Sequence, residues 1–276
     1  MRQIALPDGS RVSALGQGTW RIGEGQRPRR EEADALRLGI DLGMTLIDTA
    51  EMYGEGTSEE VVGDAIAGHR DRAFVVTKVY PHNATRRGTD AACERSLKRL
   101  RTDHIDLYLL HWMGGAPLSE TVGAFEKLKA AGKIRAWGVS NLDTSDMAEL
   151  AAISPHCATN QVLYNPEHRG IEFDLLPWCD RHAIPVMAYS PVGQAGRLLR
   201  AKVLVDIAAR HNATPAQIAI AWSLRHPGVI AIPKSGDVAH VRLNAAAAAI
   251  VLGESDLAAI DTAYPPPHRK TGLAML

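Results

Sequence analysis

The chain has 276 residues, of which 46% are hydrophobic, enough for a sizeable core and close to the roughly 250 residues of a single α/β barrel. Lys plus Arg and Asp plus Glu number 31 each, a balance that argues against nucleic acid or an anionic membrane as partner. The three cysteines, Cys93, Cys157 and Cys179, are odd in number and widely spaced, so neither a disulfide framework nor a Cys-x-x-Cys metal site is expected.

The first apolar segment, Gln3-Ile4-Ala5-Leu6, meets the turn residues Pro7-Asp8-Gly9 and returns as Arg11-Val12-Ser13-Ala14, which reads as a β-hairpin. Short apolar runs then alternate with amphipathic stretches, the signal for βα units around a parallel sheet. The expected strands are Ala14–Gly18, Thr45–Asp48, Phe74–Lys78, Ile105–His111, Ala136–Ser140, Thr159–Val162, Pro185–Tyr189 and Val229–Pro233. Between them the periodicity predicts helices over Glu31–Leu42, Glu59–Ala67, Asp90–Leu100, Ser119–Ala131, Asp143–Ala152, Phe173–His182 and Pro215–Arg225. Thr214-Pro215 is a strong start signal, a cap followed by proline in the first turn. Extra helices are expected over Leu199–Arg210, Val238–Ile250 and Ser255–Ala263, ahead of a short irregular tail.

Eight strands with helices between them fit a closed (β/α)8 TIM barrel better than an open doubly wound sheet, and residues 1–276 read as a single domain. A Rossmann fingerprint is missing, because Gly16-Gln17-Gly18, Gly23-Glu24-Gly25 and Gly54-Glu55-Gly56 each stop at Gly-x-Gly. No apolar stretch approaches the ~18 residues of a membrane span, and the N-terminus carries Asp8 where a secretory leader needs an apolar run. The expectation is a soluble cytoplasmic protein, monomeric by default.

The strand ends carry the chemistry. Strand two ends at Asp48, three at Lys78, four at His111, five at Ser140-Asn141, seven at Tyr189-Ser190 and eight at Lys234-Ser235, while strand six opens with Asn160-Gln161. In a barrel these ends surround one mouth, where active sites of the fold sit. Tyr53 lies five positions after Asp48, in the loop over the same mouth. Asp48 and Lys78 can pair across adjacent strands. A protonated lysine beside Tyr53 is expected to draw its pKa below the usual value of about 10, making it a proton donor and acceptor. His111 can donate to an oxygen on which charge develops. The set suits addition to a carbonyl but offers no nucleophile of its own, so the attacking species is expected from a cofactor, with hydride the natural candidate. The histidines show no zinc-ligand spacing, and no metal is expected. Trp20, Tyr80 and Trp112 each follow a strand end and are candidates to line the substrate pocket.

At these residues the sequence resembles the aldo-keto reductase superfamily over nearly its whole length. The motifs are Leu46-Ile47-Asp48-Thr49-Ala50-Glu51-Met52-Tyr53-Gly54, Leu107-Tyr108-Leu109-Leu110-His111-Trp112, Gly138-Val139-Ser140-Asn141, Asn160-Gln161, Ala188-Tyr189-Ser190-Pro191 and Ile232-Pro233-Lys234-Ser235. Gly132-Lys133-Ile134-Arg135-Ala136-Trp137 and Asp174-Leu175-Leu176-Pro177-Trp178-Cys179 bring it nearest to the bacterial methylglyoxal-reductase type.

The resemblance implies NADPH-dependent reduction of small aldehydes or ketones by a tetrad of Asp48, Tyr53, Lys78 and His111, with Tyr53 as general acid. It implies that Ser140, Asn141 and Gln161 bond the nicotinamide carboxamide and that Tyr189 stacks on the ring. Ser190 and Gly193 would lie along the pyrophosphate, and Lys234 and Ser235 would meet the 2′-phosphate. The chain departs from the family pattern at His240, where an arginine is common, and at Leu243, where an acidic residue is common, although Asn244 is kept. A lost guanidinium fork weakens selectivity against NADH. The short segment after Pro191 and the short tail imply a more open site. The alternative is a non-catalytic cofactor-binding subunit of the same fold.

Overall fold

The computed structural model describes all residues from Met1 to Leu276. The chain opens with an antiparallel hairpin of β1 (Gln3–Ala5) and β2 (Arg11–Ser13), with Ile4 opposite Val12. Eight parallel strands follow in one sheet, in sequence order: β3 (Gln17–Gly18), β4 (Leu46–Asp48), β5 (Phe74–Val79), β6 (Ile105–Leu110), β7 (Ile134–Ser140), β8 (Cys157–Leu163), β9 (Val186–Tyr189) and β10 (Val229–Ala231). Parallel bridges from Leu15 to Ala231 and from Gly18 to Lys234 join the first strand to the last and close the sheet on itself. This is a (β/α)8 barrel with an N-terminal hairpin.

The helices alternate with the strands. They are α1 (Arg29–Asp41), α2 (Thr57–Ile66), α3 (Arg86–Leu100), α4 (Leu118–Ala130), α5 (Thr144–Ile153), α6 (Leu175–Arg181), α7 (Lys202–Arg210), α8 (Pro215–Leu224), α9 (Val238–Ala246) and α10 (Glu254–Ala263). Local signals set their starts. Thr214 and Gln217 form a reciprocal capping box before Pro215, as do Asp143 and Asp146 at α5, each satisfying main-chain donors that a helix start leaves unpaired.

Side chains alternate across each strand. In β6, Leu107 and Leu109 point into the barrel with Leu46, Val76 and Met187, while Tyr108 and Leu110 pack outward under the helices. Both faces are therefore apolar, as parallel strands covered on both sides require. The hairpin packs Ile4, Leu6 and Val12 into the same interior cluster. Ser13 Oγ accepts from Leu46 N at the start of β4, and Arg2 reaches the carbonyls of His226 and Val229 at the start of β10. The hairpin thus plugs the end of the barrel opposite the polar strand ends.

Some elements are shorter than their sequence signals. The first barrel strand keeps regular pairing only at Gln17–Gly18, where space is tight: a Cβ on Gly18 would lie 2.8 Å from the Ile232 carbonyl oxygen. The expected helix over Phe173–His182 begins only at Leu175, after a separate turn over Gly170–Glu172. Leu199–Arg210 divides into a 3-10 turn, Arg197–Arg200, and α7. Val238–Ile250 divides into α9 and a turn over Ala247–Ala249. No single helix is long and apolar enough to cross a membrane.

Candidate active site

Asp48 ends β4, and Lys78 lies on the neighbouring β5. Lys78 is fully buried, with Nζ donating to Asp48 Oδ2 at 2.9 Å, Thr49 O at 2.8 Å and Tyr53 Oη at 3.2 Å. All three ammonium hydrogens are used, which is what makes a buried charge tolerable. Tyr53 is brought inward by a tight 3-10 turn, Tyr53–Gly56, in which Gly54 and Glu55 take left-handed φ values of 53° and 54°. For Glu55 that conformation is strained, and such strain gathers at functional sites.

Burial alone would lower the Lys78 pKa, but attraction to Asp48 and then Tyr53 raises it, so the ammonium stays charged. The Tyr53 phenol departs from the sequence expectation. Burial outweighs the pull of Lys78 and raises its pKa, so the group is a protonated phenol rather than one poised near neutrality. His111 directly follows β6 and is 7% exposed. Burial and then the Lys78 charge press its pKa down to about 2, leaving a neutral imidazole. Nδ1 is sealed without a partner, which leaves Nε2 for a ligand. The Tyr53 and His111 rings meet edge to face, centroids 5.7 Å apart.

A second row of polar groups joins this cluster. Tyr189 Oη donates to Asn141 Oδ1 at 3.1 Å, and Asn141 Nδ2 donates to Ser140 Oγ at 3.1 Å and to His111 O at 3.1 Å. Ser140 Oγ donates to Gln161 O at 2.8 Å. Gln161 Nε2 donates to Asp48 Oδ1 at 2.7 Å and lies 2.9 Å from Met187 Sδ. One hydrogen-bonded line therefore runs from Tyr189 through Asn141, Ser140, Gln161, Asp48 and Lys78 to Tyr53. Asn141 and Gln161, expected only as cofactor contacts, also hold their neighbours in place.

Ser190, Gly193, Gln194 and Ala195 all have left-handed φ, between 48° and 58°, in the segment after β9. That segment is tied down, because Asn165 Nδ2 donates to Ser190 O and Arg197 pairs with the buried Glu167 at 2.5 Å. Lys234 and Ser235 follow β10. Lys234 is exposed, and Ser235 Oγ donates to Asp237 O. His240 is exposed on α9, its main-chain N–H bonded to Asp237, while Asn244 on the same helix is buried. A cation and a hydroxyl suit a phosphate, and the Ser140–Asn141–Gln161 group suits an amide, so the residues fit a nicotinamide dinucleotide phosphate.

The aromatic candidates divide. Trp112 packs on His111 with centroids 4.7 Å apart, and Tyr80 on Trp112 at 5.1 Å, forming a wall beside the imidazole. Trp20 instead stacks with Arg21, whose guanidinium carbon lies 4.4 Å from its ring. Glu51 sits within the Asp48–Gly54 motif. Its Oε1 accepts from Tyr80 N at 2.8 Å and Asn83 Nδ2 at 3.0 Å, and its Oε2 pairs with Arg95 at 3.2 Å. It ties the Tyr53 loop to the Tyr80 wall.

The tail is anchored at two points. Arg169 holds its root through Asp261 and the Tyr264 carbonyl, both at 2.6 Å. Lys270 bridges Asp143 at 2.7 Å and Asp174 at 2.5 Å. Burial raises the pKa of the Tyr189 phenol, and the main chain of the last residue, Leu276, opposes that rise. A cavity of about 170 Å³ lies beneath, lined by Leu163, Glu167, Arg169 and Leu273 among others. Short as it is, the tail lines that cavity with Thr271 and Leu273.

Residues 14–265 match the sequence profile described as the Aldo/keto reductase family. The chain is 55% identical to the methylglyoxal reductase YeaE of Escherichia coli over 96% of its length and 95% of the relative's. It is 36% identical to the glyoxal reductase of Bacillus subtilis, covering 94% of this chain and 91% of that one. An aldo-keto reductase from Klebsiella pneumoniae, crystallised in complex with NADPH, superposes with a TM-score of 0.97 at 53% identity over the full length of both chains.

Proposed function

This chain belongs to the aldo/keto reductase family, and from that premise we propose that it is an NADPH-dependent oxidoreductase that reduces small aldehydes, methylglyoxal first among them, to alcohols. Residues 1–276 would act as one unit. The observation that carries the reading is the buried line of Asp48, Lys78 and Tyr53, joined at 2.9 and 3.2 Å beside a neutral His111. The identity to a methylglyoxal reductase and a glyoxal reductase supports the substrate class. The NADPH complex of the Klebsiella pneumoniae relative supports the cofactor.

NADPH, when bound, supplies the hydride that adds to the carbonyl carbon. Ser140, Asn141 and Gln161 would hold its carboxamide, Tyr189 its ring, Ser190 and Gly193 its pyrophosphate, and Lys234 and Ser235 its 2′-phosphate, with Asn244 and His240 nearby on α9. His111 would orient the carbonyl through Nε2, the nitrogen its packing leaves free. As charge gathers on the carbonyl oxygen, Tyr53 would give up its phenolic proton to it. A buried phenol is a weak acid, so the step needs the Lys78 ammonium at 3.2 Å to stabilise the phenolate left behind. Asp48 keeps that ammonium charged and aimed. Tyr80 and Trp112 would wall the substrate in, which suits a small molecule.

The test is NADPH oxidation with methylglyoxal, glyoxal and larger aldehydes, run in parallel with NADH. Turnover on the small dicarbonyls with preference for NADPH is expected. Tight NADPH binding without turnover on any carbonyl would instead identify a cofactor-sensing subunit, and no binding of either nucleotide would end the reading.

A further inference from the structure

The sequence lacks an arginine at position 240, yet a guanidinium stands against the same turn from another part of the chain. Arg27 lies in the loop between β3 and α1. Its Nη2 donates to Asp237 Oδ2 at 2.6 Å, and its Nη1 lies 3.9 Å from Glu31. Asp237 caps α9, its Oδ1 accepting from the main-chain N–H of Ala239 and His240 at 2.8 and 3.2 Å. It also exchanges two hydrogen bonds with Ser235, at 3.0 and 3.1 Å. A Cβ on Gly236 would stand 3.7 Å from Arg27 Cδ. The Arg27 side chain is therefore pinned along Lys234–Asp237, although the two segments are 210 residues apart.

Lys234 gains no side-chain hydrogen bond of its own. Partial desolvation lowers its pKa, Glu32 opposes that shift, and the charges of Arg27 and Arg21 add to it. Although Glu32 and Glu24 partly offset the effect, the cations Lys234, Arg27 and Arg21 repel one another here. A dianion placed among them would turn that repulsion into binding, and a guanidinium fork and an ammonium are complementary ways of meeting phosphate oxygens.

We propose that Arg27 is a specificity-determining residue, reading the 2′-phosphate of NADPH together with Lys234 and Ser235 and standing in for the arginine missing at position 240. Asp237 is its positioning residue. One oxygen of that carboxylate fastens α9 and the other holds the guanidinium, so its own charge is spent on both sides of the site. On this proposal selectivity against NADH is kept despite His240. The inference rests on the reading of Lys234 and Ser235 as the phosphate site, and its test separates the two.

Quenching of tryptophan fluorescence gives dissociation constants for NADPH and NADH without any turnover. Wild type, Arg27→Met, Arg27→Lys and Lys234→Met are compared, with thermal melting to verify folding. Arg27→Met is expected to weaken NADPH by about 10- to 100-fold, the scale of a lost charge-assisted contact, while NADH changes less than about twofold. Arg27→Lys should fall between, keeping the charge and losing the fork. Equal weakening of both nucleotides overturns the inference, since that is a loop defect rather than phosphate reading. Unchanged NADPH affinity in Arg27→Met also overturns it, and Lys234→Met then says which level failed. If Lys234→Met weakens NADPH, the phosphate is where we place it and Arg27 is a surface ion pair only. If both variants bind NADPH as wild type does, the phosphate lies elsewhere and the reading of Lys234 falls too.

Discussion

Gln161 donates its amide hydrogen to Asp48 Oδ1 at 2.7 Å, joining residues 113 positions apart. Lys78 holds the other oxygen of the same carboxylate. The proposed carboxamide site and the proposed proton donor therefore share one buried anion. Each end of that line can be tested alone.

Tyr53→Phe removes one oxygen and little else. If Tyr53 is the acid, kcat on methylglyoxal should fall by about 10²- to 10⁴-fold, the range of a lost general acid, with the NADPH dissociation constant within about twofold of wild type. Steady-state kinetics and fluorescence titration measure the two. Full turnover in the variant would remove Tyr53 from the mechanism.

Burial makes His111 a pH liability. Its folded pKa is about 2, against about 6.5 in an unfolded chain. Between those values the unfolded state takes up a proton that the folded state refuses, so stability is complete above about pH 6.5 and is lost as pH falls. The slope is about 1.4 kcal/mol per pH unit for this one group. Urea midpoints at pH 7 and pH 5 should therefore fall less in His111→Gln than in wild type. Equal losses would mean that His111 is not held neutral.

Glu51 is expected to act through what it positions. Glu51→Ala leaves the Tyr80 N–H and the Asn83 amide without their acceptor, at a cost of about 1–3 kcal/mol. KM for the aldehyde should rise more than kcat falls, because the Tyr80 wall loosens while the Lys78–Tyr53 contact remains. Glu51→Gln, which still accepts from both donors, should restore most of the KM. A matched stability loss with unchanged KM would make Glu51 a structural residue only.

The barrel seam tolerates no added methyl at Gly18, where the obstacle is a carbonyl oxygen 2.8 Å away rather than a movable side chain. Gly18→Ala should lower stability by about 1–3 kcal/mol, read from chemical denaturation. A variant as stable as wild type would show that the first and last strands are not tightly joined.

The order of elements was legible because each strand is a short apolar run and each helix carries a cap or a period. All eight strands lie where the apolar runs placed them, with ends that differ by one to three residues. The convergence of Asp48, Tyr53, Lys78 and His111 followed from reading strand ends as one rim. The Tyr53 pKa was misjudged because sequence shows which charges are near but not how little water remains. Arg27 stood in a loop of Gly, Arg and Pro with no period to mark it, and its partner Asp237 is 210 positions away. The path of the tail is not legible in the sequence, because it is set by the anchors at Arg169 and Lys270, whose partners lie far away along the chain.

Ile4, Leu6 and Val12 seal the far end of the barrel. The proposed site therefore has a single approach, from the side on which the polar strand ends lie.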